Sequence, residues 1–349
     1  RKYALEVVKL GAGSTAEFDS DGVESGMHTY KLYKGDGGLV MPNGDSYYLS
    51  GGDALSRAAD AILLTAGVMG ADWHYGLDNV HKRLGEIRVN LPTSSGNVWA
   101  RVNNYRLNAA PDLAGSSFEQ DSYGLTAGGD MIMRREKAML VAGAFFGMSR
   151  SERGFEDTRN DYGDGETNTI GLGLYGLWLY DNAWFVDATL RFGRSSNELN
   201  ARGVDGFVSR GKYTNHVQSI SVEAGRRFMN GIYWVEPSAQ VAVAWINGAD
   251  YTVSNGVSRN LEVHIGDSDA WQYRGQVRTG ADYGRWQPYV KVAMVKTDSN
   301  GGEVQVEGRS YQPWFDGWRF ETGAGVGYLI DERSQVYFDY EYNKASDYE

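Results

Sequence analysis

The sequence predicts an all-β fold with one long helix: a transmembrane antiparallel β-barrel of the twelve-stranded type with the helix in its pore. Three observations lead to this fold class. The 349 residues include 46 Gly, 23 Tyr, 12 Phe and 10 Trp, an unusual composition for a helical or doubly wound enzyme. Extended segments of about ten residues alternate between apolar and polar side chains, as strands that cross a bilayer do. The mean hydropathy of −0.46, without any apolar run of about 20 residues, excludes a helical membrane protein.

Charge and cysteine content exclude several kinds of function. With 45 acidic and 34 basic residues there is no cationic surplus to neutralise phosphates, so nucleic acid is not an expected partner. The absence of Cys excludes a disulfide scaffold, a Cys zinc site and a thiol nucleophile. The first residues, RKYALEVVKL, do not form a signal peptide. If the protein is exported, we therefore expect this chain to be a fragment.

Residues 1–52 contain short extended runs, too few to form a large independent core. A hairpin or two is marginal in water, so we expect this zone to continue a structure that begins upstream. Turn signals rich in Gly, Asp and Asn separate the runs, which are Ala4–Leu10, Ser14–Phe18, Met27–Tyr33 and Ser46–Leu49.

Residues 53–91 are predicted to form one long helix. The part from Ala54 to Arg88 lacks Pro and is rich in helix-forming residues, and Gly85 is the predicted stop. About 30 residues would span roughly 45 Å, but the apolar part is too short to cross a bilayer. Apolar side chains at spacings of three, four and seven fall near one stripe, the predicted pore-helix residues Ile62, Met69, Trp73, Leu77, Val80 and Leu84.

Residues 92–349 are predicted to form the barrel. In Trp184–Gly193, for example, apolar residues alternate with a set that includes Asp187 and Arg191. Aromatic residues gather at segment ends, as in girdles at two membrane interfaces. A soluble sheet protein with one polar face is the alternative. The eleven segments are Asn97–Leu107, Tyr123–Arg134, Ala138–Ser149, Asn168–Tyr180, Ala183–Arg194, Val217–Phe228, Ile232–Ile246, Trp271–Tyr283, Trp286–Lys296, Trp318–Ile330 and Gln335–Asn343.

The number of predicted strands bears on whether the barrel is closed within this chain. Lipid offers no partner to a free strand edge, so the sheet must close, and bacterial single-chain barrels close with an even number of strands. Eleven is odd, and the sequence ends in NKASDYE without a further apolar strand. We infer that a twelfth strand is absent from this chain or is supplied by another chain; the alternative is a miscount of one among the weaker early segments.

Polar side chains on the opposite face of the strands are predicted to line the lumen. A barrel of about a dozen strands leaves a pore close to the diameter of a helix with its side chains, about 10–12 Å, so the preceding helix can fill it. Buried charges need partners, and both signs are present. The predicted lumen residues are Asp187, Arg191, Glu223, Arg227, Glu236, Arg274, Arg278, Arg319, Glu321, Asp339 and Glu341.

The order of a short β end-piece, a long helix and amphipathic strands resembles the C-terminal region of classical (type Va) autotransporters of the pertactin and AIDA type. The resemblance covers essentially the whole chain. The residues that carry it are HTYKLYKGDGG and SYYLS between His28 and Ser50, NVHKRLGEIR at Asn79–Arg88, NVWARV at Asn97–Val102, and the later WQPYVKVAMVK and GWRFETGAGVGYLI.

The resemblance implies a type V secretion translocator that is not an enzyme and has no cofactor or metal. It implies a passenger end at 1–52, a linker helix within the pore at 53–91 and an outer-membrane barrel at 92–349. The expected location is the outer membrane of a Gram-negative bacterium, with the passenger at the cell surface. Implied partners are outer-membrane lipid, the protein's own passenger, the barrel assembly machinery and periplasmic chaperones.

The chain departs from the family pattern at two places. Members normally end in a strand with a terminal aromatic residue, whereas this chain ends at Glu349. Some relatives cleave themselves at an Asn-Asn pair within the helix. Here the candidate cleavage position reads Asp78-Asn79.

Other motifs do not predict chemistry. GLGLYG at Gly171–Gly176 matches a nucleotide-binding pattern but lies inside a predicted strand without a following helix. RNDYGDGETN at Arg159–Asn168 lacks EF-hand spacing and is interpreted as a surface loop, with weak calcium binding as the alternative. The five His form no metal-ligand pair at helical spacing.

Two alternative functions remain open. An outer-membrane β-barrel hydrolase would need a rim constellation such as His264 beside Asp267 or Asp269. A soluble or adhesive β domain would have the helix packed outside the strands.

Overall fold

The computed structural model describes two antiparallel sheets joined by two consecutive helices. The described residues are 4–90, 95–109, 116–157, 160–257, 259–313, 316–331 and 334–345, without the side chains of Asp53 and Leu77. The larger sheet curls around the second helix, and the smaller sheet lies at one end of it.

The smaller sheet has the strand order β1-β4-β3-β2. Its strands are β1 (Ala4–Lys9), β2 (Val23–Ser25), β3 (His28–Lys34) and β4 (Ser46–Leu55). The strand predicted at Ser14–Phe18 is wrong, because this segment pairs with no strand and Phe18 N instead donates to the Tyr47 hydroxyl. Strand β2 was not predicted, since three residues are too few to show alternation.

The predicted single helix is divided in two, α1 (Arg57–Gly67) and α2 (Met69–Val89). It starts later than predicted because β4 continues to Leu55 through Gly51 and Gly52, which both have positive φ. Ser56 caps α1 by accepting a hydrogen bond from Ala59 N. No described helix is long and apolar enough to cross a membrane.

Gly85 does not end the helix, so that prediction is wrong. The helix continues to Val89, and a side chain at Gly85 would collide with the guanidinium of Arg278. The glycine therefore provides space for an arginine from the surrounding sheet rather than a C-terminal cap.

The larger sheet contains eleven strands in one continuous antiparallel path, which confirms the predicted number. In spatial order they are β20 (Gln335–Ala345), β19 (Gly317–Leu329), β16 (Trp286–Gly301), β15 (Ser268–Ala281), β12 (Tyr233–Ile246), β10 (Val208–Arg226), β9 (Trp184–Arg202), β8 (Asp161–Tyr180), β7 (Ala138–Glu156), β6 (Ser117–Arg134) and β5 (Gly96–Ala109).

Five short strands lie off this path: β11 (Phe228–Asn230), β13 (Ala249–Ser254), β14 (Asn260–Ile265), β17 (Val304–Val306) and β18 (Arg309–Tyr311). They were not predicted because they are short and pair mainly with one another, outside the main path. Strands β13, β14, β17 and β18 extend the wall beyond the longer strands at one end, whereas β11 lies at the other end, beside the turn between β10 and β12.

The strands β6–β10 are longer than predicted, with 18–20 residues each. The surface loop expected at Arg159–Asn168 is therefore wrong from Asp161 onward, where β8 begins; Arg159 itself lies outside the described residues. Inward-facing Tyr162 stacks on Phe155 with ring centroids 6.0 Å apart, which gives this part of the strand a buried face.

The two ends of the sheet differ. At one end, strands are joined by short connections such as residues 135–137, 181–183 and 282–285, and we call this the short-turn end. At the other end, the connections include residues 203–207 and 247–267, and we call this the long-loop end. Short turns on one side and long loops on the other are typical of outer-membrane barrels.

The outer face of the sheet is apolar and the inner face polar, as the alternation predicts. In β9 the side chains of Val186, Leu190 and Phe192 are exposed, whereas Asp187 and Arg191 are buried. Aromatic side chains pair on the outer face. Trp178 stacks on Tyr180 and Trp271 on Tyr273, and the rings of Trp286 and Tyr328 are tilted with centroids 4.6 Å apart.

Glycines of the inner face make room for large side chains. Gly193 in β9 lies under the ring of Trp73 from α2, and a Cβ there would be 2.6 Å from the ring. Arg191 lies over the same ring at 3.8 Å, so Trp73 is held between the guanidinium and the glycine. This close approach explains why glycine is found in a strand interior here.

Replacing Gly193 by Val should lower the thermal stability of the folded protein, because Trp73 cannot move away from the new side chain without losing its contact with Arg191. Overpacking of this kind costs about 1–3 kcal/mol. The measurement is the temperature at which the compact band is lost in heat-modifiability electrophoresis.

The control is Gly275→Val in β15, where nothing lies within 4 Å of a new Cβ. An equal loss of stability in the two variants would contradict the packing argument.

Candidate functional site

The helix α2 lies inside the larger sheet, because its side chains contact strands on opposite sides of the wall. Arg83 pairs with Asp130 of β6, and Arg88 pairs with Asp187 of β9 and with Glu236 of β12. Lys82 pairs with Asp339 of β20. These four strands are distributed around the sheet, so the candidate functional site is the helix-filled lumen.

Arg83 makes a forked contact with one side of the wall. Its Nη2 lies 2.9 Å and its Nε 3.2 Å from Asp130 Oδ2, and both side chains are almost fully buried. The Tyr175 hydroxyl donates to the same carboxylate at 3.0 Å, and Trp99 Nε1 donates to that hydroxyl at 2.7 Å. These contacts give the buried carboxylate a cationic partner and a hydroxyl donor.

Arg88 is held near the C-terminal end of α2. Its Nη1 lies 3.0 Å from Asp187 Oδ2 and its Nη2 3.2 Å from Glu236 Oε1. Arg227 also donates to Glu236 and to the carbonyl oxygen of Arg88. The ring of Phe185 lies 3.8 Å below the Arg88 guanidinium. A cation in the last turn also suits the helix dipole.

A third set of ion pairs fixes the opposite side of α2. Asp78 lies 3.1 Å from Arg274 Nη2, and Arg274 continues to Glu321 at 3.0 Å. Glu321 also accepts from Arg319 at 2.7 Å. Lys291 lies 2.9 Å from Glu341 of the last strand.

The structure places the eleven predicted lumen residues on the inner side of the sheet. Eight are buried, whereas Asp339 and Glu341 of β20 are half-buried. Arg227 follows β10 rather than lying within it. The prediction missed Asp130 and Lys291, which extending the alternation through β6 and β16 would have identified.

The predicted pore-helix residues do not form one continuous contact. Ile62 belongs to an apolar core between α1 and the long-loop end, Met69 and Trp73 pack on β10 and β12, and Val80 and Leu84 pack on β7 and β8. All five are buried, while the side chain of Leu77 lies outside the described residues. Four of the five belong to α2, whereas Ile62 belongs to α1, so the break at Val68 separates Ile62 from the others.

Both residues at the candidate cleavage position bond to side chains of the surrounding strands. Asp78 pairs with Arg274, as above, and Asn79 Nδ2 donates to Asn103 Oδ1 of β5 at 2.9 Å. The two side chains thus point to different strands.

The smaller sheet joins the long-loop end through Glu24, a buried residue of β2. Its Oε1 accepts from Arg57 N, the first amide of α1, at 3.1 Å. Its Oε2 lies 3.2 Å from Arg259 Nη1, and its carbonyl oxygen accepts from Arg259 Nη2 at 2.9 Å. A carboxylate at a helix N-terminus is favoured by the helix dipole. We call this set of contacts the Glu24 junction.

Two outer connections complete the Glu24 junction. Asp205, in the connection after β9, lies 3.1 Å from Arg259 Nη2. Asp157, after β7, lies 2.8 Å from Arg57 Nη2. The start of α1, the end of the smaller sheet and three loops of the larger sheet therefore meet at one buried ionic cluster.

The larger sheet has a seam between β5 and β20. Within the described ranges, β5 pairs only with β6 and β20 only with β19, and a cleft of about 1370 Å³ lies between them along α2. Arg101 Nη1 of β5 lies 2.6 Å from Asp339 Oδ2 of β20, and Arg101 also pairs with Glu86 of α2. Side chains thus connect the edges of β5 and β20, which are not joined by backbone hydrogen bonds within the described residues.

The rim residues considered for a hydrolase are arranged differently from that expectation. His264 Nδ1 lies 2.6 Å from Asp250 Oδ1, not beside Asp267 or Asp269, because β13 and β14 place positions 250 and 264 directly opposite each other. Asp267 Oδ1 instead accepts from Gly248 N, and Asp269 accepts from Trp271 Nε1. The GLGLYG motif lies inside β8, as predicted.

Known proteins are similar to this chain in sequence. The pertactin autotransporter of Bordetella parapertussis is 30% identical over 306 residues, which cover 84% of this chain and 32% of that protein. The BrkA autotransporter of Bordetella pertussis is 27% identical over 293 residues, which cover 83% of this chain and 28% of that protein. The chain thus spans about a third of the length of these curated relatives.

Solved structures show the same fold. The β domain of Bordetella BrkA superposes with a TM-score of 0.59 at 24% identity, covering 73% of this chain and 94% of that one. The translocator domain of NalP from Neisseria meningitidis gives a TM-score of 0.59 at 14% identity, covering 80% and 93%. These matches confirm the predicted β-barrel fold class. A family model described as the autotransporter beta-domain matches residues 98–341, and the chain belongs to that family.

Proposed function

We propose that this domain inserts into the outer membrane as a β-barrel and exports and displays its own N-terminal passenger by type V secretion. In this proposal residues 1–52 are the end of the passenger, 53–91 the linker helix in the pore and 92–349 the translocator. The barrel assembly machinery and periplasmic chaperones would act on it during insertion. The domain needs no catalytic residues or cofactor for this role.

One observation carries the proposal: the polypeptide itself passes through the lumen. Arg57 at the start of α1 contacts the long-loop end, whereas Asn90 after α2 contacts Gln287 and Gln335 at the short-turn end. The chain therefore runs through the barrel from one end to the other. We expect this arrangement if the passenger is exported through the lumen and the segment that follows it remains there.

Orientation follows from the connections. Barrels of the outer membrane have short turns on the periplasmic side and longer loops outside. The smaller sheet lies at the long-loop end, so residues 1–52 would lie at the cell surface. The exposed apolar face of the wall supports lipid as its surroundings and argues against a soluble adhesive domain.

Surface display is tested with an epitope tag placed before residue 1 in the protein expressed in a Gram-negative host. We expect intact cells to bind the antibody and to lose the tag on treatment with external protease. A tag that is protected until the outer membrane is permeabilised would contradict the proposal.

The ion pairs of α2 should hold the helix in the pore. Replacing Arg83 by Gln leaves Asp130 buried without its cation, and breaking a buried pair costs about 3–5 kcal/mol. We expect more frequent and larger channel openings in planar bilayers than for the unaltered protein.

The control for this prediction is Arg106→Gln, which removes an exposed pair with Asp121 at 2.8 Å. Equal conductance of the Arg83 variant and this control would show that the Arg83 contact does not retain the helix.

The Glu24 junction should hold the passenger end on the barrel. Replacing Glu24 by Gln leaves Arg259 with a weaker partner and removes the charge at the α1 N-terminus. We expect limited proteolysis to cut between β1 and β4 at least several times faster, while the barrel core stays resistant.

The matched change is Asp250→Asn, which removes an exposed pair with His264 at the same end of the molecule. Identical cleavage rates in the unaltered protein and the two variants would show that Glu24 does not hold the smaller sheet on the barrel.

A further inference from the structure

Three side chains of different elements converge between α2 and the wall, at a distance from the Glu24 junction. We propose that His81, Asp187 and Glu223 form a binding site for a divalent transition metal, with Zn²⁺ as the best fit. The site is independent of the proposed export function, since it requires only that α2 lies against β9 and β10.

The spacing of the three ligand atoms fits a metal better than direct hydrogen bonds. His81 Nδ1 lies 3.6 Å from Asp187 Oδ1 and 3.5 Å from Glu223 Oε2, and all three atoms lie within 4.8 Å of one another. Bonds of about 2.1 Å to a tetrahedral zinc place neighbouring ligand atoms about 3.4 Å apart. Direct hydrogen bonds would instead be about 2.7–3.2 Å long.

Two of the three ligand atoms are buried without a hydrogen-bond partner. Neither His81 Nδ1 nor Asp187 Oδ1 has one among the described residues, although the Asp187 side chain is fully buried and that of His81 is nine-tenths buried. The contact between the two atoms is an ion pair at 3.6 Å, which is longer than a hydrogen bond, so neither atom has a partner at hydrogen-bond distance. A cation between them would satisfy both.

Neighbouring side chains orient the three proposed ligands, as is usual at metal sites. Arg88 donates to Asp187 Oδ2 at 3.0 Å and lies 3.8 Å from Glu223 Oε1, so it occupies the outer oxygens and leaves the inner ones facing His81. The other ring nitrogen of His81, Nε2, lies 2.6 Å from the side-chain amide nitrogen of Gln240 and 3.0 Å from Ser221 Oγ. Ligating carboxylates and histidines are typically oriented by such contacts.

The ligand types select the metal. One imidazole and two carboxylates suit Zn²⁺, which accepts three protein ligands and keeps a fourth position for water. Ca²⁺ and Mg²⁺ prefer oxygen ligands in larger number, so an imidazole with only two carboxylates suits them poorly. The charge of Arg88 is compensated separately by Glu236 at 3.2 Å, so the inner carboxylate oxygens remain available.

Binding at this site would attach α2 to β9 and β10 in addition to the ion pairs described above. Because the ligands come from three elements far apart in sequence, no local motif marks the site. His81 also differs from His74, the other buried histidine of α2, whose charged surroundings are Arg191, Arg274 and Arg319 and not carboxylates.

The test uses the full chain, folded in detergent, stripped with EDTA and equilibrated with Zn²⁺ or Co²⁺. We expect one tightly bound Zn²⁺ per chain by elemental analysis, and visible absorption of tetrahedral Co²⁺. His81→Gln and Glu223→Gln should each weaken binding at least about tenfold and remove the Co²⁺ bands, whereas His74→Gln should keep both. Heat-modifiability electrophoresis shows that each variant is folded.

Two results would overturn the proposal. One is that the unaltered protein retains no more Zn²⁺ than folded His81→Gln or Glu223→Gln. The other is that His74→Gln weakens binding as much as His81→Gln does, since binding would then not depend on the carboxylate pair.

Discussion

The rest of the structure depends on the cost of leaving backbone polar groups unpaired inside lipid. In the described residues, each strand of the main path pairs with its neighbours except across the seam between β5 and β20. The cost of unpaired groups favours one continuous antiparallel sheet whose strands alternate an apolar outer with a polar inner face. Curling such a sheet collects its polar side chains in a narrow lumen, where water alone cannot solvate them. The charged helix α2 (Met69–Val89) supplies partners of the opposite sign, so the lipid environment ultimately dictates an ionic interior.

The charges of α2 named above are each paired with an opposite charge on the sheet. Arg83 meets Asp130, Arg88 meets Asp187 and Glu236, and Asp78 meets Arg274. Buried pairs of this kind add little net stability compared with apolar packing, but breaking one is costly. They therefore specify the rotation and depth of α2 more than they stabilise the barrel.

Much of this could be predicted from sequence, because the decisive signals are local. Period-two alternation identified eleven strands and lumen residues such as Asp187 and Glu321, and composition identified the helical segment. Features set by distant contacts were missed. The break at Val68 and the continuation past Gly85 depend on packing against the wall, and Arg278 fills the space that Gly85 leaves. The pairing of individual charges between α2 and the strands depends on how the helix is rotated in the lumen. That rotation cannot be predicted from a single sequence.

The two helices lie in different surroundings, and this difference has a mechanical consequence. Helix α1 (Arg57–Gly67) is packed in an apolar core at the long-loop end, whereas α2 is held by charges deeper in the lumen. A pulling force applied through the smaller sheet would load the Glu24 contacts and the apolar core first, because Val68 separates the two helices. The ion pairs of α2 would bear load only after those contacts had yielded.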